Sequence, residues 1–264
     1  DLETLKSDKY YSGGDYAGKS GVEQYYEKEL RGKKGIKIYL VDVYSNIKDS
    51  YMDGKYDTLA EPGKDLTLTI DVELQRYGEY LMQNKVGSIV AIEPSSGEIL
   101  SLISSPVYDP QLLVGRERGE NYDSLLNEPT KPLINRAISS TYPPGSIFKL
   151  AVSIVGLQEG VLKPYTAYPC DKSIVGCHGH PPANSVVRAI QYSCNPYYYF
   201  VFRSLIQRGI EKSIFRDSRI GLDLWKQKIV ALGFERAYDI GISGVNVGQV
   251  HGYDFYDKLY GKHR

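Results

Sequence analysis

One stretch constrains the fold more than any other. Ile147, Leu150, Val152, Ile154, Val155 and Leu157 recur at helical spacing. The run is entered through Pro143-Pro-Gly145 and ends at Gly160. Proline is a poor helix-interior residue and glycine permits a tight bend, so the helix begins at Ser146 and stops before Gly160. An apolar face of that length needs a packing partner. The same geometry puts Ser146 at the helix N-terminus, with Lys149 one turn along on the same face. Orphan N–H groups and the helix dipole favour negative charge developing beside Ser146. A partly desolvated lysine close to that hydroxyl can lose its proton and act as a base. Taken alone, the pair also describes a serine helix cap followed by a solvated lysine.

The rest of the chain supplies strands first and helices later. Residues 1–19 read as loop, and Ser20-Gly-Val-Glu23 is a capping-box pattern opening a helix to Arg31. Residues 36–43 read as a strand, followed by a polar connector or hairpin end over 46–64. Leu66, Leu68 and Ile70 alternate with polar residues as in a half-buried strand. Asp71 then caps a helix over 72–85 with Leu74, Tyr77 and Leu81 on one face. Residues 86–92 and 98–103 form a hairpin about Pro94-Ser-Ser-Gly97. A long polar loop covers 106–132 and irregular chain covers 163–182. Helices are expected over 184–191, over 195–208 and, broken at Gly221, over 211–232, with nothing strongly periodic after Gly233. Lys+Arg and Asp+Glu both number 32, so charge gives no pointer to nucleic acid. No apolar run reaches the ~18 residues of a membrane helix, and the N-terminus is not a signal peptide. The 24 tyrosines suit amphipathic packing at partly wet surfaces.

Two further clusters carry chemistry. Ser193-Cys194-Asn195 lies between two helix candidates, and alternate residues of an extended stretch share a face. Its hydroxyl can relay a proton and its amide can grip a peptide backbone, although either residue could simply cap the next helix. Cys170, Cys177, His178, His180 and Cys194 form the second cluster. Three thiols and an imidazole suit tetrahedral zinc, a Cys170–Cys177 disulfide is the rival, and three free thiols are the third reading.

Pro143-Pro-Gly-Ser-Ile-Phe-Lys149 followed by Ser193-Cys-Asn195 resembles the first two active-site motifs of the penicillin-binding transpeptidases. Asp15-Tyr-Ala-Gly-Lys-Ser-Gly-Val-Glu-Gln-Tyr-Tyr-Glu27 and Leu30-Arg-Gly32 resemble the pedestal region of class B enzymes of the penicillin-binding protein 2 type. Leu68-Thr-Ile-Asp71, Val90-Ala-Ile-Glu-Pro-Ser-Ser-Gly-Glu-Ile-Leu100, Ser105-Pro106 and Pro132-Leu-Ile-Asn-Arg136 resemble the opening of their catalytic domain. The resemblance runs in order from about residue 10 to the end. It implies an α+β fold, a helical cluster on an antiparallel sheet as in penicillin-binding and beta-lactamase-like domains. Residues 1–64 would be part of a pedestal, dimerisation-type domain, and 65–264 the transpeptidase domain.

The implied activity is D,D-transpeptidation of peptidoglycan stem peptides, with beta-lactams as inhibitors. Ser146 would be the nucleophile and Lys149 the base, while Ser193 would pass a proton to the leaving D-Ala and Asn195 would hold the donor peptide. Some members of the class carry a structural zinc beside the second motif with one ligand inside Ser-x-Asn. That implies Cys170, Cys177, His180 and Cys194 as ligands, with His178 as alternate. The implied setting is the periplasmic face of the bacterial inner membrane, with elongation-complex proteins as partners through the pedestal and no nucleic acid. One departure matters: no Lys-[Ser/Thr]-Gly, the family's third motif, follows Asn195, and Lys19-Ser-Gly21 lies in the pedestal match. The expectation is a fragment truncated at both ends, short of the C-terminal strands and with little or no transpeptidase activity. A non-catalytic scaffold and a D,D-carboxypeptidase or beta-lactamase are the alternative readings.

Overall fold

The computed structural model describes residues 10–12 and 14–261, so the loop expected over 1–19 lies largely outside them. The chain divides into two compact units, Asp1–Ser140 with Asp239–Asn246, and Thr141–Tyr238 with Val247–Arg264.

In the first unit, two short helices, α1 (Gly21–Tyr25) and α2 (Glu27–Leu30), replace the single helix expected to reach Arg31. Ser20 makes no side-chain cap, and the chain leaves helical geometry at Tyr26. Tertiary anchoring overrides the local signal: Tyr25 Oη donates to Asp239 Oδ1 at 2.6 Å, and Glu27 accepts from Tyr11 Oη and Gly18 N. Strand β1 (Tyr39–Val41) pairs antiparallel with β2 (Ile47–Ser50), so the strand expected over 36–43 is shorter and the expected connector supplies its partner. Asp42 closes the hairpin by accepting from the N–H groups of Tyr44 and Asn46.

Helix α3 (Val72–Leu81) starts as expected, with Asp71 Oδ1 accepting from Leu74 N at 2.9 Å. Strands β3 (Gly87–Ile92) and β4 (Ile99–Ser105) form the expected antiparallel hairpin, Ile89 opposite Ile103. The face of α3 that meets β4 is a surprise. Gln75 bonds both the N–H and the C=O of Leu102, at 2.9 and 3.2 Å, standing in for a neighbouring strand. A Cβ at Gly78 would lie 2.5 Å from Ile103 Cδ1. These two contacts fix the rotation of the helix, so Leu74, Tyr77 and Leu81 are exposed rather than buried. The strand expected over 66–70 does not form. Only Thr69 Oγ1 and Asp71 N reach the β4 edge there, on Ile99 O and Leu100 O. The loop expected over 106–132 holds a 3-10 turn, Pro110–Leu113, and a helix, α4 (Arg118–Asn127). Only Leu125 of α4 is buried, too little apolar periodicity to announce a helix.

The second unit is helical. A 3-10 turn, Gly145–Ile147, leads into α5 (Phe148–Gln158). There follow α6 (Val186–Gln191), α7 (Asn195–Ile206), α8 (Ile214–Ala231) and α9 (Tyr253–Tyr260). Their core is Val155, Ala189, Cys194, Tyr197, Val201 and Ile229, all essentially inaccessible, with Trp225 edge-on to Phe148 and Phe202. Helix α5 buries Ala151, Val152, Val155 and Gly156, small residues that allow close approach. Ile147, Leu150, Ile154 and Leu157 of the expected face are exposed. The helix is apolar on two sides, and periodicity cannot choose between them. Gly221 is no helix break: α8 runs through it, and a Cβ there would meet Ile206 O at 2.1 Å. Helix α9 had no sequence signal, and Arg219 ties it to α8 through Asp257 at 2.9 Å. No helix among the described residues is long and apolar enough to cross a membrane.

Candidate functional site

Gly145 takes φ +60, a left-handed turn that suits glycine, and swings the chain from Pro144 into the 3-10 turn holding Ser146. Ser146 is exposed at the mouth of α5, and Lys149 is half-buried on its first turn. The second motif is placed by the end of α6. Ser193 N donates to Ile190 O and Cys194 N to Ala189 O, both at 3.0 Å, with Ser193 at φ +47. That bond pair is a Schellman motif, and Ser193 occupies the left-handed position usually given to glycine. Cys194 then turns inward to full burial, and Asn195 opens α7.

These turns bring all four expected polar residues together. Lys149 Nζ donates to Ser193 O at 2.6 Å, Ser193 Oγ at 2.9 Å and Asn195 Oδ1 at 2.6 Å, which uses its three N–H groups. Ser193 Oγ donates to Ser146 Oγ at 2.9 Å. Among the described residues Lys149 has no direct hydrogen bond to Ser146. The helical spacing put the two on one face, but the connection between them runs through Ser193. Asn195 Nδ2 donates to Gly176 O at 2.9 Å, tying the motif to the cysteine loop. Burial pulls the Lys149 ammonium below the usual lysine range, opposed by any charge on the Cys177 and Cys194 sulfurs. A lysine so placed, one hydroxyl away from an exposed serine, can accept a proton through that hydroxyl and leave an alkoxide at a helix mouth.

The second cluster also converges. One donor atom each from Cys170, Cys177, His180 and Cys194 lies within 4.8 Å of all the others. A tetrahedron with Zn–S bonds of about 2.3 Å spaces its sulfurs roughly 3.8 Å apart, so the set is the right size for one ion. His180 Nε2 is 3.4 Å from both Cys170 Sγ and Cys177 Sγ, while its Nδ1 lies 2.7 Å from Pro181 O. An Nδ1–H bonded to that carbonyl aims the Nε2 lone pair at the sulfurs. His178, the alternate, only stacks edge-on against the His180 ring. Burial would raise the Cys177 thiol, but the Asn195 N–H, His180 and Cys170 outweigh it and bring it to about 7. Burial, with the sulfurs of Cys194 and Cys177, pushes Cys170 up to about 11. All three cysteines are unpaired.

Three participants carry no sequence signal. Gly176 acts through its carbonyl, which no side-chain pattern reveals. Ser153 and Tyr198 flank the lysine from one turn beyond Lys149 and Asn195 respectively, and spacing alone marks them as core.

The penicillin binding protein transpeptidase domain family matches residues 87–261, and the penicillin-binding protein dimerisation domain family matches 1–68. The chain is 35% identical over 165 residues to the peptidoglycan D,D-transpeptidase MrdA of Escherichia coli K12, a match covering 61% of this chain and 25% of that protein. It is 35% identical over 223 residues to MrdA of Acinetobacter baumannii, covering 80% of this chain and 32% of that protein. The chain thus spans about a quarter to a third of the length of these curated relatives. Among solved structures, the complex between penicillin-binding protein 2 and MreC from Helicobacter pylori superposes with TM-score 0.77 and 25% identity, over 99% of this chain and 47% of that one.

Proposed function

Because this chain belongs to the penicillin-binding protein transpeptidase family, we propose that Ser146 is the acyl-accepting nucleophile of a peptidoglycan D,D-transpeptidase. The observation that carries this is the unbroken path from Lys149 Nζ to Ser193 Oγ to Ser146 Oγ. Neutral Lys149 draws a proton from Ser193, which takes the one on Ser146, and the Ser146 oxygen attacks the carbonyl of a D-Ala-D-Ala stem peptide. The Ser146 N–H offers one donor to the oxyanion. The path run in reverse returns the proton to the departing D-Ala through Ser193. A stem-peptide amine from a second strand then attacks the acyl carbon, the bond from that carbon to Ser146 breaks, and the amine's proton passes through Lys149 and Ser193 back to the Ser146 oxygen. Asn195 keeps one N–H and one lone pair beyond its bonds to Gly176 and Lys149, enough to hold a peptide backbone. Beta-lactams acylate the same oxygen.

We assign Cys170, Cys177, His180 and Cys194 a structural zinc; when bound, it pins the loop that holds Asn195 through Gly176. Metal analysis with thiol titration checks this: one zinc per chain is expected, and a metal-free Cys170–Cys177 disulfide refutes it. Residues 1–64 read as part of the pedestal and 65–264 as the transpeptidase domain, a division supported by the two family matches. The Helicobacter pylori relative is solved in complex with MreC, which supports elongation-complex partners for this chain. The pedestal as their contact and the periplasmic face of the inner membrane as the setting are part of the same proposal.

No Lys-[Ser/Thr]-Gly follows Asn195, so this chain by itself is expected to label weakly with a fluorescent penicillin. The complete gene product carrying these residues is expected to label at Ser146. Undiminished labelling of its Ser146→Ala variant would refute the assignment.

A further inference from the structure

We infer that Tyr198 and Ser153 form the seat that aims Lys149 at Ser193, and are positioning residues for acylation of Ser146. The inference rests on the reading of Ser146 and Lys149 given above. Ser153 Oγ donates to the backbone carbonyl of Lys149 itself, at 2.8 Å. Its hydrogen is thereby committed, so the 2.7 Å contact between Ser153 Oγ and Tyr198 Oη is a bond donated by Tyr198. The face of the Tyr198 ring lies 5.6 Å from Lys149 Nζ. That is within the range at which an aromatic face attracts an ammonium.

Packing alone does not account for this pair. Tyr198 and Ser153 are 6% and 4% exposed. Both hydroxyls are satisfied by each other and by the Lys149 carbonyl, so removing either one strands a buried partner. Here both hydroxyls converge on the residue that bears the base. Tyr198 also lies one turn after Asn195 on α7, so one helix delivers both the acceptor that draws Nζ forward and the ring that lines its flank. A long flexible lysine has many rotamers. An anchored backbone carbonyl and an attractive wall leave it the one that reaches Ser193.

The test is acylation of the complete gene product by a fluorescent penicillin, resolved into a saturation constant and a limiting acylation rate. Tyr198→Leu keeps an apolar filler and removes both ring and hydroxyl. It should lower the limiting rate by about ten- to a hundredfold, the cost of a misplaced catalytic group, and leave the saturation constant within about twofold. Tyr198→Phe restores the ring and should recover all but about three- to tenfold, the worth of one hydrogen bond. Ser153→Ala removes the bond to the Lys149 carbonyl as well and should be at least as slow as Tyr198→Phe. The double variant should be no slower than Ser153→Ala, because the Tyr198 hydroxyl acts only through Ser153. If Tyr198→Leu does not fold, Tyr198→Phe and Ser153→Ala decide the matter alone. Unchanged limiting rates, additive losses, or losses confined to the saturation constant overturn the inference. A wild-type protein that takes up no label refutes the nucleophile assignment and this inference with it; a labelled wild type with indifferent variants refutes only this one.

Discussion

Ser193 sits where a helix end normally places glycine, and two substitutions there separate its backbone from its hydroxyl. At φ +47 an L-residue carries about 1–2 kcal/mol of local strain. The Schellman bonds to Ile190 O and Ala189 O hold it there. Ser193→Ala and Ser193→Gly both delete the bonds of Oγ to Lys149 and Ser146, so the difference between them reports the backbone alone. Glycine relieves the strain and returns about 0.4–1 kcal/mol through the freedom it adds to the unfolded chain. The glycine variant should therefore be the more stable by roughly 0.8 kcal/mol, or about 2–3 °C in Tm. Urea unfolding of the two variants side by side measures this. Both variants should acylate at least about a hundredfold more slowly than wild type, the lower end for a proton-transfer group. They should do so equally, because Lys149 keeps its bonds to Ser193 O and Asn195 Oδ1 and stays in place. An alanine variant as stable as the glycine one shows that the backbone is unstrained. Near-wild-type acylation by Ser193→Ala shows that Lys149 reaches Ser146 without it. Either result refutes the reasoning.

Other consequences are open to direct measurement. Gly221→Ala forces a methyl to within 2.1 Å of Ile206 O and should cost at least about 2–3 kcal/mol in thermal unfolding; a loss under about 0.5 kcal/mol would mean α7 and α8 yield easily. Burial holds Lys149 below the usual lysine range, so the neutral base grows as pH rises. The acylation rate should climb to an inflection below the ordinary lysine value of about 10.4, and Lys149→Arg should be slow at every pH. The Gly209 N–H, with those of Ile210 and Glu211, holds the Asp217 carboxyl below its usual range against burial. A depressed carboxyl stabilises the fold above its unfolded value, and that contribution is lost as pH falls through the folded one. Asp217→Ala should lower Tm at neutral pH, with the gap to wild type closing in acid; a pH-independent gap would point to packing instead. Cys194→Ser removes a fully buried donor and should release bound zinc and lower Tm together; full retention of metal would exclude Cys194 as a ligand.

The site was legible where chemistry and turn signals coincide in sequence, and the fold was not legible where tertiary contacts choose among equal local options. Asp71 before Val72 and Pro143-Pro-Gly145 before Ser146 are signals complete within a few residues. The first appears as read, while the second opens a 3-10 turn over Gly145–Ile147 and the α-helix itself starts two residues later than expected, at Phe148. The buried side of α3 was decided by Gln75 meeting a β4 backbone pair and by Gly78 under Ile103, neither of which alters the apolar period. The split at Tyr26 was decided by tertiary anchors on either side of it, one of them, Asp239, more than two hundred residues away. Gly221 shows the same limit from the other side: a glycine inside a helix can be a break or a crossing point, and only the neighbour, Ile206, tells which.

The second motif shows why a correct grouping can rest on a wrong cause. Alternation along an extended stretch predicts that Ser193 and Asn195 share a face. They do converge on Lys149, but Ser193 is left-handed, Cys194 alone is extended, and Asn195 is already the first residue of α7. Three consecutive residues in three conformations send two side chains toward Lys149 and the middle one into the core beside Cys170, Cys177 and His180. The left-handed residue makes this possible, because it ends α6 and reverses the chain within one position. A glycine there would suit the backbone better but would break the path between Lys149 and Ser146. The strain at Ser193 therefore follows from a conflict between two demands on one residue, a tight helix end and a hydroxyl within 2.9 Å of both its partners.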